Sequence, residues 1–206
     1  QWGKNDRKPF GEVVTILKWD DLNDKAMSEI LLENGFPLVF DKEVMDLANS
    51  LSGEITENEL VRRKDYRDVL TFTIDPVDAK DFDDAVSIKH LENGDYEIGV
   101  HIADVSHFVT PDSPLDKAAY ERATSVYLPD RVNPMLPEKI SNELCSLRPH
   151  EDKYTFSTIF RMTKKGVIKD KWIGRTIIHS NHRFTYEDVQ AIIESGEGLY
   201  SDEVLL

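Results

Sequence analysis

Residues 73–84 read TIDPVDAKDFDD, and five of these twelve side chains are carboxylates: Asp75, Asp78, Asp81, Asp83 and Asp84. Two like charges about 4 Å apart repel by roughly 4 kcal/mol at an effective dielectric near 20. A loop this acidic must splay into water, take up protons or share a cation. Hard divalent ions prefer oxygen ligands, and Mg²⁺ is commonly held by one or two carboxylates together with water and substrate phosphate. Asp75 ends the apolar run 69–74 and is expected at the carboxyl end of a strand, with Pro76 turning the chain after it. In an extended segment Asp83 and Asp84 would point to opposite sides. Either the loop curls until the acids converge, or they serve two ions. Two ions bracketing a phosphate would neutralise its charge, generate hydroxide and stabilise the leaving oxygen. The competing reading is a solvated acidic loop. Phe82 and the flanking TFTI and AVSI weigh against it, because they place the acids between two buried strands.

Other acidic motifs fit poorly. An EF-hand counted from Asp75 would put Lys80 where Gly is required and Val86 where the bidentate Glu belongs. A dehalogenase-type nucleophile wants its DxD directly after a buried strand, whereas the apolar run ends at Ile74, well before DFDDAV. No Walker loop, HExxH or CxxC pair is present. His101 and Asp104 in HIADVSH lie three apart, on opposite sides of a strand, and read as structural. Cys145 in ELCSL reads as a small core residue rather than a nucleophile. His107, His179 and His182 have no partner that the sequence names, and Lys164, Lys165, Lys169 and Lys171 read as solvated charge.

The elements that must position the acidic loop are legible. The run 10–17, FGEVVTIL, reads as a strand. A helix follows, with Asp20 or Asp21 as N-cap, Ala26, Ile30 and Leu31 at helical spacing and Gly35 at its stop. DKEVMDLANSL and TENELVRRK read as short helices. VLTFTI reads as a buried strand, and AVSIKHL-ENGD-YEIGVHIADV as a hairpin whose Asn93-Gly94 pair would supply the positive φ angles of a primed turn. Ser113, Pro114 and Asp116 mark a helix start. TFSTIFRMT and VIKDKWIGRTIIHS suggest a strand pair turning at Gly166. Thr185 and Asp188 frame an approximate capping box for the final helix. No repeat or low-complexity tract interrupts this order.

The 206 residues are 40% hydrophobic and 31% charged, a globular profile. No apolar run approaches the roughly 18 residues of a membrane span, and no basic-then-apolar leader opens the chain. The single cysteine makes a reducing cytoplasm the expected compartment. Net charge is −14, which taken alone argues against nucleic acid. The acid is concentrated, however: residues 71–150 carry fifteen Asp/Glu against seven Lys/Arg, and residues 151–206 nine against eight. An acidic site of this kind would meet phosphate through a metal ion, or through basic residues supplied elsewhere.

TIDPVDAKDFDDAVSI, then IADVS, then TSVYLPDRVNPMLPEKISNELCSL, in that order, closely resembles the ribonuclease II / ribonuclease R family, nearer its R branch. FGEVV is similar to the closing strand of the cold-shock domain that precedes the catalytic domain in that family. The resemblance implies an α+β fold with a mixed or antiparallel sheet and helices. Residues 1–62 would be the end of an OB-type cold-shock barrel and a helical connector, and 63–206 the N-terminal part of the catalytic domain. It implies a processive 3′→5′ exoribonuclease that takes the 3′ end of single-stranded RNA and releases nucleoside 5′-monophosphates. Mg²⁺, or Mn²⁺, would be the cofactor, with no organic cofactor and no membrane partner. The family's four site aspartates fall on Asp75, Asp81, Asp83 and Asp84, with Asp83 the one whose loss stops cleavage while leaving RNA binding. Tyr127 matches the aromatic that packs on the 3′-terminal base. The family's catalytic domain is longer than this chain, so a truncated and weakly active fragment is the expectation. The alternative is a non-catalytic RNA- or partner-binding module whose acids form a solvated or Ca²⁺-binding surface.

Overall fold

The computed structural model describes residues 11–13, 16 and 18–205; half of the strand expected over 10–17 (10, 14, 15 and 17) lies outside the described residues, and 11–13 and 16 are not in a strand. Three helices come first. α1 (Leu22–Glu33) starts where Asp21 Oδ1 accepts from Asp24 N at 2.8 Å, and gives way at Asn34 to a left-handed Gly35 (φ 81°). Of its spaced apolar residues Leu31 is buried while Ile30 is exposed, so α1 lends little to the core. α2 (Lys42–Ser50) buries Val44 and Ala48, and α3 (Glu57–Arg62) is capped by Thr56.

The remaining elements are β1 (Lys64–Tyr66), β2 (Leu70–Asp75), β3 (Asp84–His90), β4 (Tyr96–Ala103), α4 (Val105–Phe108), α5 (Pro114–Arg122), β5 (Val126–Tyr127) and β6 (Val132–Asn133). A π-helical turn (Lys139–Leu144) follows, then β7 (Asp152–Met162), β8 (Ile168–His179), β9 (His182–Thr185), α6 (Tyr186–Ser195) and α7 (Ser201–Val204). Seven strands form one sheet in the order β1-β8-β7-β4-β3-β2-β9, and β5 pairs with β6 in a separate two-stranded ribbon. The five inner strands are antiparallel, whereas the edges β1 and β9 run parallel to β8 and β2. The fold is therefore α+β with a mixed, mainly antiparallel sheet.

The β3–β4 turn differs from the primed turn expected of Asn93-Gly94. Gly94 alone takes a positive φ (81°). Gly94 N donates to Leu91 O and Leu91 N to Asp95 O, both at 2.9 Å. This is a three-residue loop in which a left-handed glycine ends a type I turn. Asn93 uses its side chain instead, accepting from Asp95 N at 3.1 Å and donating to the Asp95 carboxylate at 2.8 Å.

Hydrophobic packing lies on both faces of the sheet. The larger cluster gathers Val44 and Ala48 of α2, Leu115 of α5, Ile140 and Leu144 of the π-helical turn, and Ile177 and Ile178 of β8. On the other face Phe72, Ile88, Tyr96 and Phe184 pack with Ile192 of α6. No described helix is long and apolar enough to cross a membrane.

Candidate active site

Strand pairing brings the first and last acids of the loop together. β2 and β3 are antiparallel neighbours in the register Leu70↔Ile88, Thr71↔Ser87 and Phe72↔Val86. Asp75 ends β2 and Asp84 begins β3, so both stand at the same end of the sheet. The connecting segment 76–83 is pinned from beneath. Phe82 is buried, its N–H donates to Ser146 Oγ (3.2 Å), and its carbonyl accepts from Leu147 N (2.7 Å). Ser146 Oγ in turn donates to Lys80 O (2.8 Å), and Ala103 N donates to Asp83 O (2.9 Å). Phe82 turned inward leaves Asp81 half-buried and Asp83 exposed on either side of it.

The electrostatics are those of crowded carboxylates. Burial pushes Asp75 above the usual carboxylate range, and Asp84 and Asp83 add to the shift; Thr73 and Arg183 oppose it. Asp84 is exposed at the strand end yet is also raised, by partial desolvation first and the charge of Asp83 second. Asp75 Oδ2, Thr73 Oγ1 and Arg183 Nε are buried and make no well-formed hydrogen bond, although buried polar groups are nearly always satisfied. Among the described residues no three His, Cys, Asp or Glu side chains are close enough together to hold a metal ion. Asp81 is engaged elsewhere: Tyr127 Oη, on the β5–β6 ribbon, donates to its Oδ2 at 2.6 Å. That bond, with burial and the charges of Asp81 and Asp83, pushes the phenol up to about 12. The Tyr127 ring is 65% exposed, free to meet a flat partner. Asp78 is exposed and stands apart from this set.

The donor set nonetheless suits a hard divalent ion. It is all oxygen, includes a buried oxygen without a partner, and carries repulsion that a cation would relieve.

His101 and Asp104 lie outside the site. His101 is fully buried, with Nδ1 2.6 Å from Ser157 Oγ and Nε2 2.8 Å from Ser87 Oγ, and burial lowers it to about 4. Asp104 pairs with buried Arg63 (2.8 Å) and with Arg175 (3.4 Å). Burial pushes it up, but bonds to Ser106 and Arg63 outweigh that and hold it low. Cys145 is a buried thiol raised to about 12 by burial. The histidines do have partners: His107 lies near Arg63 and Glu59, His179 bonds Asp152 at 2.7 Å, and His182 meets Phe184 edge to face. Lys169 pairs with Asp95 at 2.7 Å rather than standing alone in solvent. Ser146 and Arg183 are the site residues that sequence reading missed. Nothing in ELCSL or NHRF marks them, because each contacts the loop only through the fold.

The sheet, the acid-bearing strand ends and the buried loop anchor together define a class: residues 63–203 match the RNB domain, and the chain belongs to the RNB-domain family. It is 49% identical to Ribonuclease R 1 of Lactococcus lactis over 187 residues, 91% of this chain and 23% of that protein. Its structure is similar to that of Mycoplasma genitalium RNase R in complex with ribose-methylated single-stranded RNA, with a TM-score of 0.78 and 33% identity over 87% of this chain and 28% of that one. Yeast Ssd1, a pseudonuclease, shares the fold at a TM-score of 0.72 and 22% identity, covering 89% of this chain and 24% of that one. The chain spans less than a third of the length of the curated relatives it matches.

Proposed function

We propose that the protein carrying this chain is a metal-dependent 3′→5′ exoribonuclease, acting processively on single-stranded RNA and releasing nucleoside 5′-monophosphates in the cytoplasm. The observation that carries the reading is the raised, partly unsatisfied Asp75–Asp84 pair, held at adjacent strand ends by a buried loop anchor within an RNB-family sheet. Asp75, Asp81, Asp83 and Asp84 would hold Mg²⁺, with Mn²⁺ as a substitute. A divalent ion there would supply an activated water and stabilisation of the leaving oxygen. The chain's own residues do the rest. Asp75 and Asp84, on strand backbone, fix the position of the scissile linkage, and Asp83 completes the reactive arrangement from the loop. The exposed Tyr127 ring stacks on the terminal base, a contact worth roughly 1–3 kcal/mol that ignores base identity. We assign residues up to 62 to the end of a cold-shock barrel and a connector, and residues from 63 to the catalytic domain, with α2 a buttress on the catalytic core.

The test is 5′-labelled single-stranded RNA with Mg²⁺. The expected result is stepwise shortening from the 3′ end, abolished in Asp83→Asn while RNA still binds. Retention of the label on intact RNA by the unmodified protein would favour the non-catalytic RNA-binding module, a reading encouraged by the absence of an assembled three-acid cluster among the described residues.

A further inference from the structure

We propose that Arg183 is a positioning residue for the acidic loop, clamping both ends of 76–83 so that the loop acids stay at the same end of the sheet as Asp75 and Asp84. The inference rests on the metal-site reading above and adds a residue to it. Arg183 lies on β9, which runs parallel to β2 in the register Thr73↔Arg183 and Asp75↔Thr185. Its side chain therefore leaves the sheet on the same face as Thr73 and Asp75. Nη2 donates to the carbonyl of Pro76, the first loop residue, and the guanidinium carbon lies 5.3 Å from the ring centroid of Phe82, near the last. One planar cation thus touches both ends of the loop, and its charge acts on Asp75 just before it.

Only arginine combines these contacts. Its fork donates in the plane while its face lies on an aromatic ring, whereas lysine offers a point charge on a flexible stem. β9 is itself firmly placed. Phe184, the next residue, is buried in the second core, and Thr185 begins α6 through a reciprocal bond with Asp188. The clamp is therefore built on rigid backbone, as a group that orients metal ligands from behind must be.

The experiment compares Arg183→Lys, Arg183→Met and Phe82→Leu with the unmodified intact protein. It measures Mn²⁺ affinity by electron paramagnetic resonance, RNA affinity in EDTA by fluorescence anisotropy, and melting temperature. The expected result is Mn²⁺ binding about 10–100-fold weaker in both Arg183 variants, with RNA affinity unchanged. Wild-type Mn²⁺ affinity in Arg183→Lys would show that charge alone acts and would overturn the clamp. A lower melting temperature with unchanged Mn²⁺ affinity would reduce Arg183 to a structural residue and also overturn it. Should Arg183→Met fail to fold, Phe82→Leu decides: weakened Mn²⁺ binding supports the clamp and unchanged binding removes it. Failure of the unmodified protein to bind Mn²⁺ would instead overturn the functional reading, and the clamp with it.

Discussion

Asp75 sits in a place that disfavours charge. Its carboxyl is raised by burial and by two neighbouring acids, so the sign of its effect on folding is fixed. Above the raised folded-state pKa the ionised group penalises the native protein, and below the ordinary carboxylate range that penalty vanishes. Asp75→Asn should therefore stabilise the metal-free protein and raise its melting temperature, by a few degrees for a chain of this size. A divalent ion should then raise the melting temperature of the unmodified protein and not that of the variant, which a thermal scan with and without Mn²⁺ reads directly. Tyr127 allows its two contacts to be separated. Tyr127→Phe keeps the ring and loses the bond to Asp81, so RNA affinity should hold while Mn²⁺ affinity changes. Tyr127→Ala should cost about tenfold or more in RNA affinity, the equivalent of one stacked base. Equal RNA affinity in Tyr127→Ala would remove the stacking role. His101 gives the pH dependence. Its folded value of about 4 lies below the ordinary 6.5, so its full contribution is present above pH 6.5 and drains as pH falls toward 4. The loss is roughly 3 kcal/mol. Urea unfolding across that window should show this slope, and His101→Gln should flatten it.

Among the elements, the segment after the π-helical turn matters most to the site, because Ser146 anchors the acidic loop through Phe82 N and Lys80 O. Ser146→Ala leaves the buried Phe82 N–H and the partly buried Lys80 carbonyl without their partner and should cost about 1–3 kcal/mol of stability, measured by urea denaturation. A change below the error of that measurement would mean the loop is held by Phe82 burial alone. This anchor also marks where sequence reading ran out. β2, β3, β4, β7, β8 and α6 were legible because each carries a local signal: an apolar run, a glycine turn or an N-cap with its partner three residues on. The acids and Tyr127 were legible as a motif. β1 and β9 were not, since three- and four-residue edge strands that pair in parallel owe their existence to β8 and β2, far away in sequence. Ser146 and Arg183 escaped for the same reason, and the Asn93-Gly94 turn misled because side-chain bonding by Asn93 is indistinguishable in sequence from a primed turn. Gly99 is a quieter case: a Cβ there would collide with Ser87 Oγ and the His101 ring, a requirement visible only once β3 and β4 are side by side.

At the scale of the whole molecule, the proposed function asks how a chain of net charge −14 would meet a polyanion. Many of its cationic side chains are already paired with acids: Arg63 with Glu59 and Asp104, Arg67 with Asp65 and Asp152, Arg131 with Asp24 and Asp130, and Lys169 with Asp95. A protein that binds single strands by neutralising phosphates loses affinity with salt at a log–log slope near −0.7 per phosphate. If this chain instead engages RNA through a stacked terminal base and a shared divalent ion, that slope should be shallow, no steeper than about −1. Affinity should then rise with Mg²⁺, and the rise should disappear in the double variant Asp75→Asn, Asp84→Asn. Anisotropy titration of a labelled oligonucleotide against the chain, at several monovalent salt concentrations with and without Mg²⁺, tests both. A steep negative slope insensitive to Mg²⁺ would place RNA on a basic surface and detach binding from the acidic loop. A shallow slope with Mg²⁺ dependence would make the excess acid part of how the molecule selects its ligand: it repels RNA wherever the metal is not there to mediate.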